Sequence, residues 1–191
     1  MSRIKGVPLI NSIGVLRDML GPARLQAMTK LIPAASQPLF SRSLVALEWV
    51  PLDQWAPVLQ VVFEQLFRKD ELQFRRLMRA VCKRDFSGIY RVYVKNTTPH
   101  EVLNKAASIW TAYFDTGSLT TEPAEVPNGL LQVTLKMREL QTEFPILATV
   151  MLAYIEQILD MAGAEKFTIQ RGKELLMLGK LSCDYQINFV K

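Results

Sequence analysis

The sequence predicts an α+β fold: N-terminal helices followed by a four-stranded, mainly antiparallel sheet with one long crossing helix. Apolar residues recur at helical spacing through about residue 116, and later segments alternate apolar with polar residues. The 191 residues are 49% hydrophobic and 21% charged, which is enough apolar material for the core of one domain. We expect a single domain over residues 1–191, with a helical part at about 6–116 and a sheet-plus-helix part at about 117–191.

The helical part is divided by prolines and glycines. Residues 8–20 have apolar positions on one helical face and stop at Gly21-Pro22, which favours a stop and a restart. A second short helix is predicted to end before Pro33. A longer helix begins at Pro51 and Asp53, and another is expected at residues 71–84.

The clearest helix start lies at Thr98. Thr98 can cap the helix, Pro99 suits its first position, and Glu101 completes a capping box. This helix should continue to Tyr113 and leave through Asp115-Thr-Gly117. The preceding residues 89–94 contain β-formers, but we interpret them as a helix that runs into a loop.

The second half of the chain changes its period. Val133 and Leu135 alternate with Thr134 and Lys136, as expected for a strand with one buried face. A long helix at residues 143–162 should end at Gly163. Strands are predicted at residues 119–122, 130–136, 166–170 and 184–190.

Composition limits the function classes. The longest charge-free apolar run, residues 144–155, is too short to span a bilayer, and no uninterrupted apolar N-terminal stretch suggests a signal peptide. Two cysteines are too few for a disulfide scaffold. The residues favour a soluble, cytoplasmic protein.

Several motifs together resemble a known family. They are Trp49-Val-Pro-Leu52, Gly88-Ile-Tyr-Arg91, Tyr113-Phe-Asp-Thr-Gly117 and Cys183-Asp-Tyr-Gln-Ile-Asn-Phe189. In this order they resemble a paralogous domain family of unknown function from myxobacteria and other deltaproteobacteria. More remotely, the chain is similar to vinyl-reductase-type small-ligand domains, to TRAPP vesicle-tethering subunits and to haem nitric-oxide-binding domains.

These remote resemblances imply cofactor sites that the sequence does not support. The axial histidine of the haem domains would fall near Ala107-Ser108, where there is none. Their propionate clamp would fall on Thr134, Lys136 and Arg138, of which only the arginine matches. A paired-cysteine metal site would need a second cysteine at Leu175. We therefore expect no cofactor and no metal. The resemblance to tethering subunits implies a protein–protein role and a homodimer.

A basic window gives the main functional hypothesis. Residues 68–95 contain nine basic and three acidic residues, a net +6, so the rest of the chain carries −1 of the total +5. We expect a non-enzymatic interaction or signalling module that docks an acidic protein partner. An anionic membrane surface or nucleic acid ranks lower, because no nucleic-acid-binding motif is present. The docking residues would be Arg75, Arg76, Arg79 and Lys83.

The alternative hypothesis is a sensor domain that binds a small hydrophobic ligand, a lipid or a pigment, in an apolar pocket. Aromatic residues at helical spacing are more often core, but these would line such a pocket: Trp55, Trp110, Tyr113 and Phe114. His100, the only histidine, should lie exposed at a helix start. Cys82 is either a buried thiol or one activated by basic neighbours. An enzyme would require a buried titratable cluster, which the sequence does not indicate.

Overall fold

The computed structural model describes residues 2–126 and 130–189. The α-helices in these ranges are α1 Gly6–Thr29, α2 Leu52–Val61, α3 Glu71–Ser87, α4 Pro99–Asn104, α5 Ala106–Tyr113 and α6 Ile146–Met161. The strands are β1 Arg3–Lys5, β2 Trp49–Pro51, β3 Ser118–Val126, β4 Leu130–Gln141, β5 Phe167–Arg171, β6 Leu175–Met177 and β7 Lys180–Phe189. Helices precede an antiparallel sheet, and the predicted α+β fold is confirmed. Val190, the predicted end of the last strand, lies outside the described residues.

The helices follow the local signals with two differences. Gly21-Pro22 interrupts α1 as predicted, because Gly21 takes a non-helical φ of +69° and the helical segments on either side of it meet at a kink. Thr98 and Glu101 form the predicted capping box, but the helix pauses at Lys105 and continues as α5. Residues 89–93, expected to run from helix to loop, form a 3₁₀ helix.

The main sheet has five strands instead of the predicted four. Its order is β3-β4-β7-β5. The short β6 pairs with residues 180–182 of β7, the part of that strand that β5 does not reach. Sequence alternation does not reveal β6, because its residues 175–177 are all apolar and exposed. The hairpin to β7 turns through Leu178 and Gly179, which both have positive φ.

One face of the sheet is apolar and meets the helices. On β4 the side chains of Val133, Leu135 and Met137 are buried, whereas Thr134 and Lys136 lie on the opposite face. Helix α6 lies between α3 and the sheet and packs against both. The buried side chains of helices and sheet form one continuous hydrophobic cluster. No helix in the described ranges is long and apolar enough to cross a bilayer.

The N-terminal segment is held by two distant parts of the chain. Strand β1 pairs antiparallel with β2, a contact between residues about 46 apart that the sequence does not signal. Asp115 accepts hydrogen bonds from the backbone N–H and the guanidinium of Arg3, each at 2.6 Å. Gly117 has a φ of +70°, and a Cβ there would approach the Arg138 carbonyl oxygen to 2.8 Å. The Asp-Thr-Gly motif therefore contacts the N-terminal segment through Asp115 and β4 through Gly117.

Candidate functional site

A partly enclosed cavity of about 70 Å³ lies where the helices meet the sheet. Side chains from the N-terminal segment, α2 to α6 and strands β3 and β4 contribute to its wall. The four aromatic residues proposed from the sequence all line it: Trp55, Trp110, Tyr113 and Phe114. No described lining residue carries a formal charge at neutral pH, so the cavity is suited to a neutral, apolar molecule.

Helix α5 supplies the aromatic wall. Trp110 and Phe114 stack with ring centroids 4.6 Å apart. The indole Nε1 of Trp110 donates to the carbonyl oxygen of Thr116 at 3.0 Å, which fixes the ring over the cavity. Ile109, on the same helix, and Val150 and Met151 on α6 are only partly buried. The gap between α5 and α6 is thus where the cavity lies nearest to solvent.

Ser12 is the exceptional polar residue of the wall. Ser12 on α1 lines the cavity and is 2% exposed, yet its Oγ has no hydrogen-bond partner in the part of the chain that the structure describes. An unpaired hydroxyl in an apolar site costs roughly 1–3 kcal/mol. Helical serines often bond to the carbonyl one turn back, and Ser12 does not. The fold therefore leaves one unmet hydrogen bond on a residue of the cavity wall.

Behind the cavity, three hydrogen bonds converge on the buried carboxylate of Asp85. Asn11 Nδ2 donates to Oδ1 at 2.6 Å. Tyr113 and Tyr154 donate their hydroxyls to Oδ2 at 3.0 and 2.8 Å. Both tyrosine rings line the cavity, but Asp85 itself does not. The cluster connects α1, α3, α5 and α6, four of the helices that line the cavity.

Burial dominates the acid–base properties of this cluster. It raises the pKa of Asp85 from 3.8 to about 6, although the hydrogen bonds from Asn11, Tyr154 and Tyr113 act to lower it. Burial, and then the charge of Asp85, raises the pKa values of Tyr113 and Tyr154 well above their usual range. Both tyrosines are therefore neutral donors throughout the physiological range.

Cys82 is a buried thiol and not an activated one. Its side chain is fully buried on α3, with Sγ 3.8 Å from the carbonyl oxygen of Tyr154. Burial, followed by the nearby charge of Asp85, raises its pKa well above the usual value. The basic neighbours Lys83 and Arg84 are exposed and do not offset this effect.

The basic helix face is partly occupied from within the molecule. Arg75 donates to Glu156 on α6 at 2.8 Å, and Arg79 forms an ion pair with Asp160, one turn further along α6. Arg76 and Lys83 are exposed and make no ion pair with the described residues. Two of the four proposed docking residues thus hold α3 against α6, and they leave less positive charge for a partner.

The positions implied by the haem-domain resemblance do not meet at the cavity. His100 is exposed at the start of α4, 3.3 Å from Asn104, and Ala107 and Ser108 face solvent on α5. Strand alternation places Thr134, Lys136 and Arg138 on the outer sheet face, where Lys136 pairs with Glu122 and Arg138 with Asp184. No group of three acidic, histidine or cysteine side chains in the described ranges could hold a metal ion.

Sequence reasoning missed both Asp85 and Ser12. Asp85 is one of the three acidic residues of the basic window, and it follows Val81 and Cys82 at helical spacing on the apolar face of α3. That spacing was an available signal for a buried acid. Ser12 carried no comparable signal, because only the packing around it shows that its hydroxyl has no partner.

Structural comparison identifies the fold. An H-NOX domain described in a study of H-NOX activation matches with a TM-score of 0.69 and 15% identity, covering 98% of this chain and 97% of that one. An oxygen-binding H-NOX domain related to soluble guanylate cyclases gives 0.65 and 14%, with 98% and 95% covered. An Ile-to-Phe mutant of the T. tengcongensis H-NOX domain gives 0.65 and 14%, with 98% of each chain covered.

Sequence comparisons add no closer relative. No protein-family model matches the chain, and no curated protein matches it in sequence. The resemblance to the deltaproteobacterial family therefore stays a prediction, while the remote similarity to haem nitric-oxide-binding domains is confirmed at the level of the fold. The chain has the fold of an H-NOX domain.

Proposed function

We propose that this protein is a non-enzymatic sensor domain that binds a small, neutral, apolar molecule in the cavity beneath α5 and α6. The observation that carries the proposal is the apolar wall of the cavity, which includes Trp55, Trp110, Tyr113 and Phe114. The H-NOX neighbours support it, because one of them is an oxygen-binding domain. Ligand binding would change the packing of α5 against α6 and so shift a conformational equilibrium.

The residues present do not fit a haem. The described lining contains no histidine or cysteine, and the hydroxyls of Tyr113 and Tyr154 are engaged by Asp85. Met78 and Met151 line the cavity, but methionine binds haem iron in cytochromes c together with a histidine, and the described lining offers none. Arg138, the one matching residue of the propionate clamp, lies on the outer sheet face. The proposed sensor therefore uses its cavity without the haem of its structural neighbours.

The size of the cavity limits the size of the ligand. Pockets for drug-sized ligands measure roughly 300–1,000 Å³, and this one measures about 70 Å³. A lipid or a pigment, as suggested by the sequence, would need the wall to open. A cavity of about 150 Å³ holds benzene, so a ligand of about three to five non-hydrogen atoms fits here.

Two other functions are less well supported. Asp85 is a buried, perturbed acid of the kind that marks catalytic sites, but both its oxygens accept hydrogen bonds and it does not reach the cavity. Docking of an acidic protein on α3 is weakened by the internal ion pairs of Arg75 and Arg79. The homodimer stays a prediction that light scattering would check.

Blocking the cavity should abolish binding of an apolar probe. Ala106 lines the cavity and is 5% exposed, so the side chain of Ala106→Leu would fill much of the space. Titration with xenon should shift the methyl NMR signals of Met151 and Ile155 in the wild type and leave them unchanged in Ala106→Leu.

The neighbouring alanine provides a matched control. Ala107 is exposed on the same helix, so Ala107→Leu should retain the xenon response. Circular dichroism would verify that both variants stay folded. Absence of a xenon response in the wild type would contradict the proposal, as would an equal response in Ala106→Leu. Separately, native mass spectrometry of freshly purified protein would show the mass of any ligand that stays bound during purification.

A further inference from the structure

The unpaired hydroxyl of Ser12 distinguishes this cavity from a simple packing defect. The other described hydroxyls of the wall, on Tyr113 and Tyr154, are satisfied by Asp85. Ser12 Oγ is buried and makes no hydrogen bond with the described residues. Alanine would fill the same position without an unmet hydrogen bond. The position is therefore suited to a group that arrives with a ligand.

We propose that Ser12 binds the single polar atom of the ligand, a hydroxyl or carbonyl oxygen on an otherwise apolar molecule. This inference rests on the proposed function and names the ligand class. A serine hydroxyl can donate to a carbonyl oxygen or exchange hydrogen bonds with an alcohol. An ionised ligand is excluded, because no described lining residue would compensate its charge.

The place of Ser12 on α1 allows it to distinguish ligands that carry an oxygen atom from those that do not. Pro8, one turn earlier, also lines the cavity, while Asn11 beside it donates to Asp85. The Asn11–Asp85 contact fixes the rotation of α1, which keeps Ser12 buried in the cavity wall and away from solvent. The rest of a ligand whose oxygen is bound there would meet the apolar side chains of the cavity wall.

Two probes of similar size separate this inference from the proposed function. Xenon is apolar and tests whether the cavity binds at all, whereas 2-propanol adds one hydroxyl to a small apolar body. In Ser12→Ala we expect the dissociation constant of 2-propanol, measured from methyl NMR shifts, to rise about tenfold. The constant for xenon should change by less than about twofold, because xenon makes no hydrogen bond.

Ser36 supplies a matched control. It is a second buried serine without a hydrogen-bond partner among the described residues, but it does not line this cavity. Ser36→Ala should leave both constants unchanged, which separates loss of a hydroxyl from loss of this one. Equal 2-propanol binding by wild type and Ser12→Ala, with xenon still bound, would overturn the role of Ser12 alone. Failure of the wild type to bind either probe would overturn the proposed function as well.

Discussion

Replacing Asp85 with leucine is expected to lower the free energy of unfolding by about 3 to 4 kcal/mol at neutral pH. The carboxylate is fully buried and accepts hydrogen bonds from Asn11, Tyr113 and Tyr154. Leucine would leave three donors unsatisfied in the interior, each costing roughly 1–3 kcal/mol, while removal of a buried charge would return part of the loss. Urea unfolding followed by circular dichroism would measure the difference.

Asp85→Asn is the matched control. The amide oxygen can still accept from Tyr113 and Tyr154, and Asn11 can turn its own amide to meet the new N–H groups. This variant should therefore be far closer to the wild type in stability than Asp85→Leu. If leucine and asparagine gave equal stabilities, the hydrogen bonds of Asp85 would not be what holds the four helices together.

The free energies of unfolding of the wild type and Asp85→Asn should depend differently on pH. The folded pKa of Asp85, about 6, lies above the ordinary value of 3.8, so the folded state binds this proton more tightly than the unfolded state. The contribution of Asp85 to stability is therefore present below about pH 4 and falls as pH rises to about 6. The loss is about 3 kcal/mol at 1.36 kcal/mol per pKa unit.

Only the difference between wild type and Asp85→Asn isolates this effect. Other acids also contribute, in both directions: the pKa of Glu48 is lowered chiefly by its hydrogen bond from Arg42, whereas burial raises the pKa of Glu156. Across pH 4 to 6 the wild type should lose stability relative to Asp85→Asn, and above about pH 6 the difference should be constant. A constant difference over the whole range would mean that Asp85 titrates normally.

Local signals predicted much of this fold for physical reasons. A capping box such as that of Thr98 and Glu101 involves residues three apart, and the alternation of Val133 and Leu135 reflects one strand's two faces. Such features are decided within a few residues. Trp110 and Phe114 are also four apart on one helix, which is why their shared place in the cavity wall could be anticipated.

Contacts between distant segments were not predictable in the same way. Arg75 forms an ion pair with a residue 81 positions away, so its exposure depends on how α3 meets α6. Asp85 and Tyr154 are 69 residues apart, and no local pattern shows that a tyrosine will reach that carboxylate. Periodicity can assign a residue to a face, but it cannot say what covers the face. For that reason the sequence places Arg75 and Arg79 on a basic helix face but does not show that both pair with acidic residues of α6.

Gly6→Ala is expected to destabilise the protein by about 3 kcal/mol and to weaken xenon binding, although Gly6 does not line the cavity. A Cβ at this position would clash with the carbonyl oxygen of Val45 and lie 3.3 Å from Glu48 Cγ. The helix start cannot move away, because the Gly6 N–H donates to the Glu48 carbonyl oxygen at 3.0 Å. Ile4 and Pro8, on either side of Gly6, line the cavity and would be displaced.

Gly14→Ala tests the same change on the same helix. Its Cβ would meet only Arg84 Nη1, at 3.0 Å, and this is the end of a flexible, half-exposed side chain. Because alanine is favoured over glycine within a helix by about 1 kcal/mol, Gly14→Ala should be neutral or stabilising. Urea unfolding and xenon titration of both variants would compare them directly. If Gly6→Ala matched Gly14→Ala in both measurements, the close approach of α1 to residues 45–48 would not be what positions Ile4 and Pro8 at the cavity.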